Sequence, residues 1–173
     1  MPAVDSSKIN VKILSESDNL KGFVCGRKEI DEFIHDEAWD FQNERLGVSY
    51  IFRYDSEIVG FVTLSMADLK KERMKSEDRL LIGKENYPAL QVSQLAVCEK
   101  RFKNRIGTFL CDFCLAKAYE FSEKAGCRFL VLNAKRGVLG FYEKYGFKLL
   151  PKQEKRIEPV MFLNIFSKNQ AVI

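Results

Sequence analysis

Residues 94–108 read Q-L-A-V-C-E-K-R-F-K-N-R-I-G-T, and this stretch decides the fold together with L-N-A at 132–134 and F-Y-E-K-Y-G-F at 141–147. The order predicts a strand, a basic turn that opens a helix, a second strand, and a short aromatic helix that runs into another strand. The first N–H groups of a helix have no partner within it and lie at the positive end of its dipole. The turn is therefore a candidate site for a phosphate-bearing ligand.

The predicted elements around the turn form a strand–helix–strand crossover. A strand over 89–97, a helix over 105–124 and a strand over 129–132 follow one another, so the two strands should be parallel and the crossover right-handed. The second strand is almost wholly apolar, which is typical of a strand beside a parallel neighbour. The other strands have short connections that favour antiparallel pairing.

Outward from this unit, the remaining elements follow from their hydrophobic spacing. We predict an edge strand over 8–14, a helix over 28–43, a hairpin over 48–54 and 58–65, a helix over 138–145 that ends at Gly146, and strands over 147–150 and 157–165. The charged segment 67–86 is predicted to be a long connection, either a binding lid or a solvated insertion. The sum is one α/β (α+β) domain over residues 1–173, with a mixed, mostly antiparallel sheet, one parallel pair and flanking helices.

Composition narrows the class of protein. The chain has 173 residues, of which 46% are hydrophobic and 30% charged, as in a globular domain and unlike a disordered chain. No apolar run reaches membrane-spanning length and the first residues lack a secretory pattern, so we expect a cytoplasmic protein without a membrane partner. The net charge of +4 favours polyanions only weakly.

The cysteines and the single histidine give little support for metal or redox chemistry. Cys111 and Cys114 form a C-x-x-C inside a predicted helix, away from the helix start where thiolates are stabilised. There is no second such pair, and His35 is the only imidazole, so a closed zinc site is hard to assemble. We therefore predict no metal and interpret these cysteines as small packing residues.

Two of the quoted segments, Q-L-A-V-x(8)-I-G-T and L-N-A-x(6)-F-Y-E-K-Y-G-F, resemble the GNAT superfamily of N-acetyltransferases over roughly residues 90 to 150. The family's pyrophosphate turn usually reads Gln/Arg-x-x-Gly-x-Gly/Ala. Here Phe102 and Arg105 stand at the Gln/Arg and first-glycine positions, and only Gly107 fits. A bulky residue can replace that glycine where the backbone supplies the donors, provided that its φ stays negative.

The resemblance implies acetyl-CoA as cosubstrate and assigns its contacts. The strand over 89–97 would carry a bulge and splay from the next strand, so that free backbone groups of Leu95, Ala96 and Val97 pair with the pantetheine arm. Asn133 would bond the pantetheine or the chain end. The pyrophosphate would lie on the turn, whose candidate donors are Lys103, Asn104, Arg105, Ile106, Gly107 and Thr108.

The resemblance also places Tyr142 near the cofactor sulfur, which makes it the candidate general acid for the departing thiolate. The alternative is a core aromatic residue with a satisfied hydroxyl. Some family members use a glutamate as the base, on the strand that corresponds to 89–97. Here the polar side chains of that strand are Gln91, Ser93 and Gln94, and it contains no carboxylate. Positioning, with water as the proton acceptor, would then carry the reaction. His35 is a weaker candidate for the base.

The segments F-x-C-G (23–26), I-D-E-F-I (30–34) and I-V-G-F-V-T-L-S (58–65) look like the branch of toxin acetyltransferases that modify aminoacyl-tRNA. The acceptor amine therefore remains open among a small molecule, a peptide and aminoacyl-tRNA, and a homodimer is compatible with the resemblance. Two other classes stay open: an acyl-CoA-binding sensor without turnover, and an RNA-binding domain.

Overall fold

Seven strands and four α-helices make up the fold in this computed structural model, which describes residues 5–102 and 105–167. The strands are β1 (Asn10–Ile13), β2 (Val48–Tyr54), β3 (Glu57–Lys70), β4 (Asn86–Val97), β5 (Phe129–Asn133), β6 (Lys148–Leu149) and β7 (Val160–Asn164). The helices are α1 (Lys28–Glu32), α2 (Ala38–Asn43), α3 (Ile106–Lys124) and α4 (Leu139–Tyr145). A π-helical turn over Phe33–Glu37 joins α1 to α2, so the helix predicted over 28–43 is one helical segment with a wide turn inside it.

The strands form one mixed sheet in the order β1-β2-β3-β4-β5-β7-β6. The pair β4–β5 is parallel, with Ala89 opposite Phe129 and Val92 opposite Leu132. The pairs β1–β2, β2–β3, β5–β7 and β6–β7 are antiparallel. The predicted fold class and the predicted parallel pair are therefore confirmed.

The described residues cluster into two compact units that share strands. The first unit draws on residues up to Ser65 and on Ser93–Cys114, and the second on Met66–Val92 and on residues from Leu115 onward. In the first unit, Ile51 and Phe52 point to opposite faces of the sheet because consecutive strand residues alternate. Ile51 packs into the cluster that the helical segment 28–43 covers, and Phe52 packs against two rings of α3.

The second unit has its own core, in which aromatic rings from three strands meet. Phe129 of β5 contacts Tyr87 of β4 at 5.5 Å and Phe162 of β7 at 6.0 Å between ring centroids. Gly146 ends α4 at a φ of 113°, and its N–H donates to the carbonyls of Tyr142 and Glu143. The predicted C-cap is thus confirmed, since this backbone conformation favours glycine.

The predicted extent of the connection 67–86 needs correction. Residues 67–70 belong to β3, which is longer than predicted because buried Leu69 continues the strand through a charged sequence. The connection is therefore shorter, and it contains 3₁₀ turns at Lys71–Arg73 and Ser76–Asp78. Ala116 of α3 is exposed. The buried side of α3 consists of Ile106, Leu110, Cys111, Cys114 and Ala118.

Candidate functional site

The regular alternation of β4 is interrupted just before the segment 95–97. The hydroxyl of Ser93 lies 2.6 Å from that of Ser65 on β3. Ser65 lies four residues after Phe61 on the same strand and therefore on the same face of the sheet. Phe61 belongs to the cluster that also contains Ala96. Ser93 and Ala96 thus face one side although they are three residues apart, which is the signature of a β-bulge, and a bulge leaves ladder groups unpaired.

The strand β3 approaches the end of β4 very closely at Gly60. A β-carbon added at this residue would lie 2.9 Å from the carbonyl oxygen of Ala96 and 3.0 Å from Cδ1 of Leu110 in α3. Any larger residue would therefore press on the backbone of the segment 95–97. In this segment Ala96 is buried, whereas Leu95 and Val97 are half-buried.

The turn after β4 is anchored by backbone and side-chain contacts within the first unit. The N–H of Cys98 donates to the carbonyl of Val59, and that of Glu99 to the carbonyl of Val24, both at 2.9 Å. Arg101 forms an ion pair with Glu57 at 2.7 Å, and its guanidinium lies 5.8 Å from the ring centroid of Tyr54. The role of Arg101 could not be predicted from the sequence, because its partners lie in the β2–β3 hairpin more than forty residues away.

Arg105 adopts a left-handed backbone conformation, with a φ of 60°. The condition under which a bulky residue could replace the glycine at this position, a negative φ, is therefore not met. The chain has to reverse to enter α3, and it does so at the position aligned with the first glycine of the family turn. For a residue with a β-carbon this conformation costs about 1–2 kcal/mol. Lys103 and Asn104, the other predicted donors of this turn, lie outside the described residues.

The start of α3 presents three backbone donors. The carbonyl of Arg105 accepts the first helical hydrogen bond, from the N–H of Phe109 at 3.1 Å. The N–H groups of Ile106, Gly107 and Thr108 precede this bond and have no intrahelical acceptor. The side chain of Ile106 is buried and fixes the helix start, while Arg105 and Thr108 are exposed. These donors and the dipole of a helix of 19 residues suit an anion.

The other predicted site residues belong to the second unit. Asn133 is the exposed last residue of β5 and lies opposite Val160 of β7. Tyr142 lies in α4 and is only 8% exposed. Its ring makes edge contacts with Phe141 at 5.1 Å and with Phe147 at 5.6 Å between centroids. This packing holds the ring in one orientation, as both a positioned acid and a core aromatic residue would require.

The cysteines are packing residues, as the sequence indicated. All five are unbridged and buried. Burial raises the pKa of Cys111 to about 12 and that of Cys114 well above its usual range, which disfavours the reactive thiolate. Within residues 5–102 and 105–167, no group of three or more His, Cys, Asp and Glu side chains could hold a metal ion.

His35 is a surface residue with a structural contact. Its side chain is exposed on the π-helical turn, and Nε2 lies 2.9 Å from the carbonyl oxygen of Phe23. This hydrogen bond links the helical segment to the loop before it.

The second unit also contains a cavity of about 270 Å³ that includes none of the predicted site residues. It is lined by Glu77, Asp78, Arg79, Leu80, Gly146, Lys148, Phe162, Leu163, Asn164 and Ser167. An ion pair between Asp78 and Lys148 lies at this cavity.

None of the described helices has the length and apolar character needed to cross a membrane.

Comparison with known proteins identifies relatives of this fold. The model of the acetyltransferase (GNAT) family matches residues 13–147. A complex of AtaT with acetyl-methionyl-tRNAfMet superposes with a TM-score of 0.81 at 18% identity, covering 90% of this chain and 94% of that one. A tyrosine-to-phenylalanine mutant of KacT gives a TM-score of 0.82 at 16% identity, with coverages of 91% and 95%.

A third solved structure is a tyrosine-to-phenylalanine mutant of the toxin AtaT, bound to the C-terminus of the antitoxin AtaR and to acetyl-CoA. Its TM-score is 0.74 at 18% identity, with 91% of this chain and 93% of that chain covered. At identities this low the likeness establishes the fold alone. No curated protein matches the chain in sequence.

Proposed function

This chain belongs to the GNAT acetyltransferase family, and from that premise we propose that it transfers the acetyl group of acetyl-CoA to a primary amine. The observation that carries the proposal is the interrupted alternation of β4 between Ser93 and Ala96. A regular strand would use its backbone groups in the ladder, whereas a bulged one leaves some of them for a ligand. The open start of α3 follows within ten residues of Ala96.

The residues of the first unit fit acetyl-CoA. Backbone groups of Leu95, Ala96 and Val97 would pair with the amides of the pantetheine arm, as an added strand does. The N–H groups of Ile106, Gly107 and Thr108 would bind the pyrophosphate at the positive end of α3. The exposed cation of Arg105 and the hydroxyl of Thr108 add charge and a further donor. Asn133, the exposed last residue of β5, remains our proposed contact for the pantetheine.

Tyr142 is the proposed general acid. When bound, acetyl-CoA supplies an acyl group that is activated as a thioester. The phenol of Tyr142 donates its proton to the departing sulfur, because the reference pKa of a phenol, about 10, is close enough to that of a thiol for this transfer. The edge contacts with Phe141 and Phe147 hold the ring, which limits the entropy lost on reaching the reactive geometry.

The acceptor that we favour is the α-amine of an aminoacyl-tRNA. Solved relatives of the same fold include AtaT with acetyl-methionyl-tRNAfMet, and the net charge of +4 of this chain is compatible with a polyanion. The amine has to be neutral in order to attack. No carboxylate lies on β4, so the proton that leaves the amine passes to water.

The Tyr142→Phe variant tests the proposal, with Tyr145→Phe as its matched control in the same helix. Loss of a general acid lowers turnover by about 10²–10⁴-fold. We expect that loss for Tyr142→Phe, with the affinity for acetyl-CoA changed by less than about twofold, because the ring and its contacts remain. Tyr145→Phe should keep its turnover. Thiol release and isothermal titration provide the two measurements, and equal turnover in both variants would refute the assignment of the acid.

The same measurements separate the other functional classes. A chain that binds acetyl-CoA but releases no thiol with any amine is an acyl-CoA-binding sensor. A chain that shows no binding at millimolar acetyl-CoA is neither an enzyme of this kind nor a sensor, which leaves the RNA-binding alternative. Methionyl-tRNA compared with methionine amide tests the acceptor, since both carry the same amine and only one carries RNA. Equal kcat/KM for the two would contradict an aminoacyl-tRNA acceptor.

A further inference from the structure

Four side chains that carry hydroxyl groups lie on one face of the sheet in the first unit. Ser49 of β2 lies opposite Thr63 of β3, and their hydroxyl oxygens are 2.8 Å apart. Ser65 follows on β3 and pairs with Ser93 of β4 at 2.6 Å. All four share the face on which Phe61 packs into the cluster covered by the helical segment 28–43. The face therefore changes from phenyl and aliphatic groups to hydroxyl groups across three strands.

The two hydroxyl pairs differ in burial and in their surroundings. Ser49 and Thr63 are both 0% exposed, and the N–H of Ser49 donates to the side chain of Gln42 at 2.9 Å, so this pair is closed off in the core. Ser65 and Ser93 are half-buried. Within the described part of the chain, the only side-chain hydrogen bond of either residue is the one that they form with each other.

This second pair has unused bonding capacity. Each serine hydroxyl carries one donor and two acceptor lone pairs. One donor and one lone pair are used between Ser65 and Ser93. Three lone pairs and one donor remain, and acceptors are in excess. The complementary ligand is a donor of hydrogen bonds that is small enough to reach two half-buried side chains, and a primary amine meets both conditions.

We propose that Ser65 and Ser93 bind the attacking amine and hold its N–H group while the nitrogen lone pair points at the acyl carbon. This inference rests on the proposed function. Ser93 precedes Leu95 by two residues, which corresponds to about 7 Å along a strand. An amine nitrogen can bridge nearly the same distance. It would lie about 3 Å from the hydroxyl oxygen that accepts its hydrogen bond and about 3–3.5 Å from the carbon that it attacks.

The chemical step balances without a further reactant. The amine nitrogen forms a bond to the acyl carbon, and the bond between that carbon and the sulfur breaks. The nitrogen loses one proton to water, and the sulfur gains one from the phenol of Tyr142, which regains its own from solvent. The pair of Ser65 and Ser93 accepts a hydrogen bond from the N–H that the nitrogen keeps, and neither serine undergoes a net change in protonation. They are substrate-binding residues and not the base.

The test compares Ser65→Ala and Ser93→Ala with Ser49→Ala, the matched control from the closed pair. Methionine amide and methionyl-tRNA serve as acceptors. Loss of one neutral hydrogen bond should lower kcat/KM for the amine by about three- to tenfold. The Kd of acetyl-CoA should change by less than twofold. Ser93→Thr keeps a hydroxyl and should restore at least half of the lost kcat/KM. Ser49→Ala should lower the melting temperature and leave kcat/KM of the folded protein unchanged.

A binding measurement without turnover gives an independent readout. A conjugate in which the α-nitrogen of methionine amide is joined to the sulfur of CoA through a –CH2–CO– bridge presents the N–H of the attacking nitrogen to the serine pair. The wild type should bind it more tightly than CoA, and Ser65→Ala and Ser93→Ala should each lose about three- to tenfold of that gain. If the wild type acetylates amines while both alanine variants keep wild-type kcat/KM and conjugate affinity, the inference is wrong. If the wild type neither binds acetyl-CoA nor releases thiol, the proposed function itself has failed.

Discussion

Replacing Gly60 with alanine tests how closely β3 approaches the functional end of β4. The new methyl carbon would lie 2.9 Å from the carbonyl oxygen of Ala96, a backbone atom that cannot rotate away, and 3.0 Å from Cδ1 of Leu110. Overpacking of this kind costs about 1–3 kcal/mol, and contact with backbone places it in the upper part of that range. The lower chain entropy of alanine in the unfolded state returns about 0.4–1 kcal/mol. We therefore expect Gly60→Ala to lower the free energy of unfolding by about 1–2 kcal/mol.

Urea denaturation measures this change, and thermal melting should show a fall of about 2–8 °C in the midpoint. Gly22→Ala is the control, because no atom lies within 4 Å of the added carbon there and the substitution should be neutral or stabilising. Isothermal titration adds a second readout: a displaced Ala96 carbonyl should also weaken the binding of acetyl-CoA. If Gly60→Ala is as stable as Gly22→Ala, the close approach of β3 to β4 described above is refuted.

Three further changes have expected outcomes. Arg105→Gly should raise the free energy of unfolding by about 0.5–1 kcal/mol in urea denaturation. Glycine removes the strain of the left-handed backbone, and this gain exceeds the entropic cost of glycine in the unfolded chain. A lower free energy of unfolding would contradict that conformation. Gly107→Glu places a carboxylate in the first turn of α3, where the helix dipole tolerates it, so the helix should keep its stability. The affinity for acetyl-CoA in isothermal titration should fall by about tenfold or more, because the carboxylate repels the phosphates. Unchanged affinity would mean that the phosphates lie elsewhere. Burial raises the pKa of Cys111 to about 12, so the folded thiol keeps a proton that the unfolded thiol loses above about pH 8.5, and stability should fall as pH rises through this window. Cys111→Ala should make that fall shallower, and an equal slope in both proteins would argue against the raised pKa.

The sequence predicted the elements whose spacing reflects local burial. The crossover from β4 through α3 to β5, the hairpin of β2 and β3, and the glycine that ends α4 all follow from short-range periodicity and capping. The continuation of β3 to Lys70 was not predicted, because the charged residues around it conceal the buried Leu69. The length of a strand depends on backbone pairing with its neighbours, which sequence periodicity does not report.

Features of the candidate site that depend on distant partners could not be predicted from the sequence. The hydrogen bond between Ser65 and Ser93 joins residues 28 positions apart and depends on the register between two strands. The ion pair between Arg101 and Glu57 spans 44 positions. Arg105 gave no signal of a left-handed conformation, since only glycine, asparagine and aspartate adopt it at low cost. The contacts of Tyr142 with acetyl-CoA remain a prediction.

The insertion of β7 between β5 and β6 has a consequence for interrupted synthesis. A nascent chain that stops after β6 has paired β5 with β4 on one side only, and the opposite edge of β5 presents free N–H and C=O groups along four buried residues, Phe129 to Leu132. Such an edge is a template for another chain. Incomplete translation products of this protein should therefore be aggregation-prone substrates for chaperones and proteases, whereas chains that extend through Asn164 protect the edge with their own backbone.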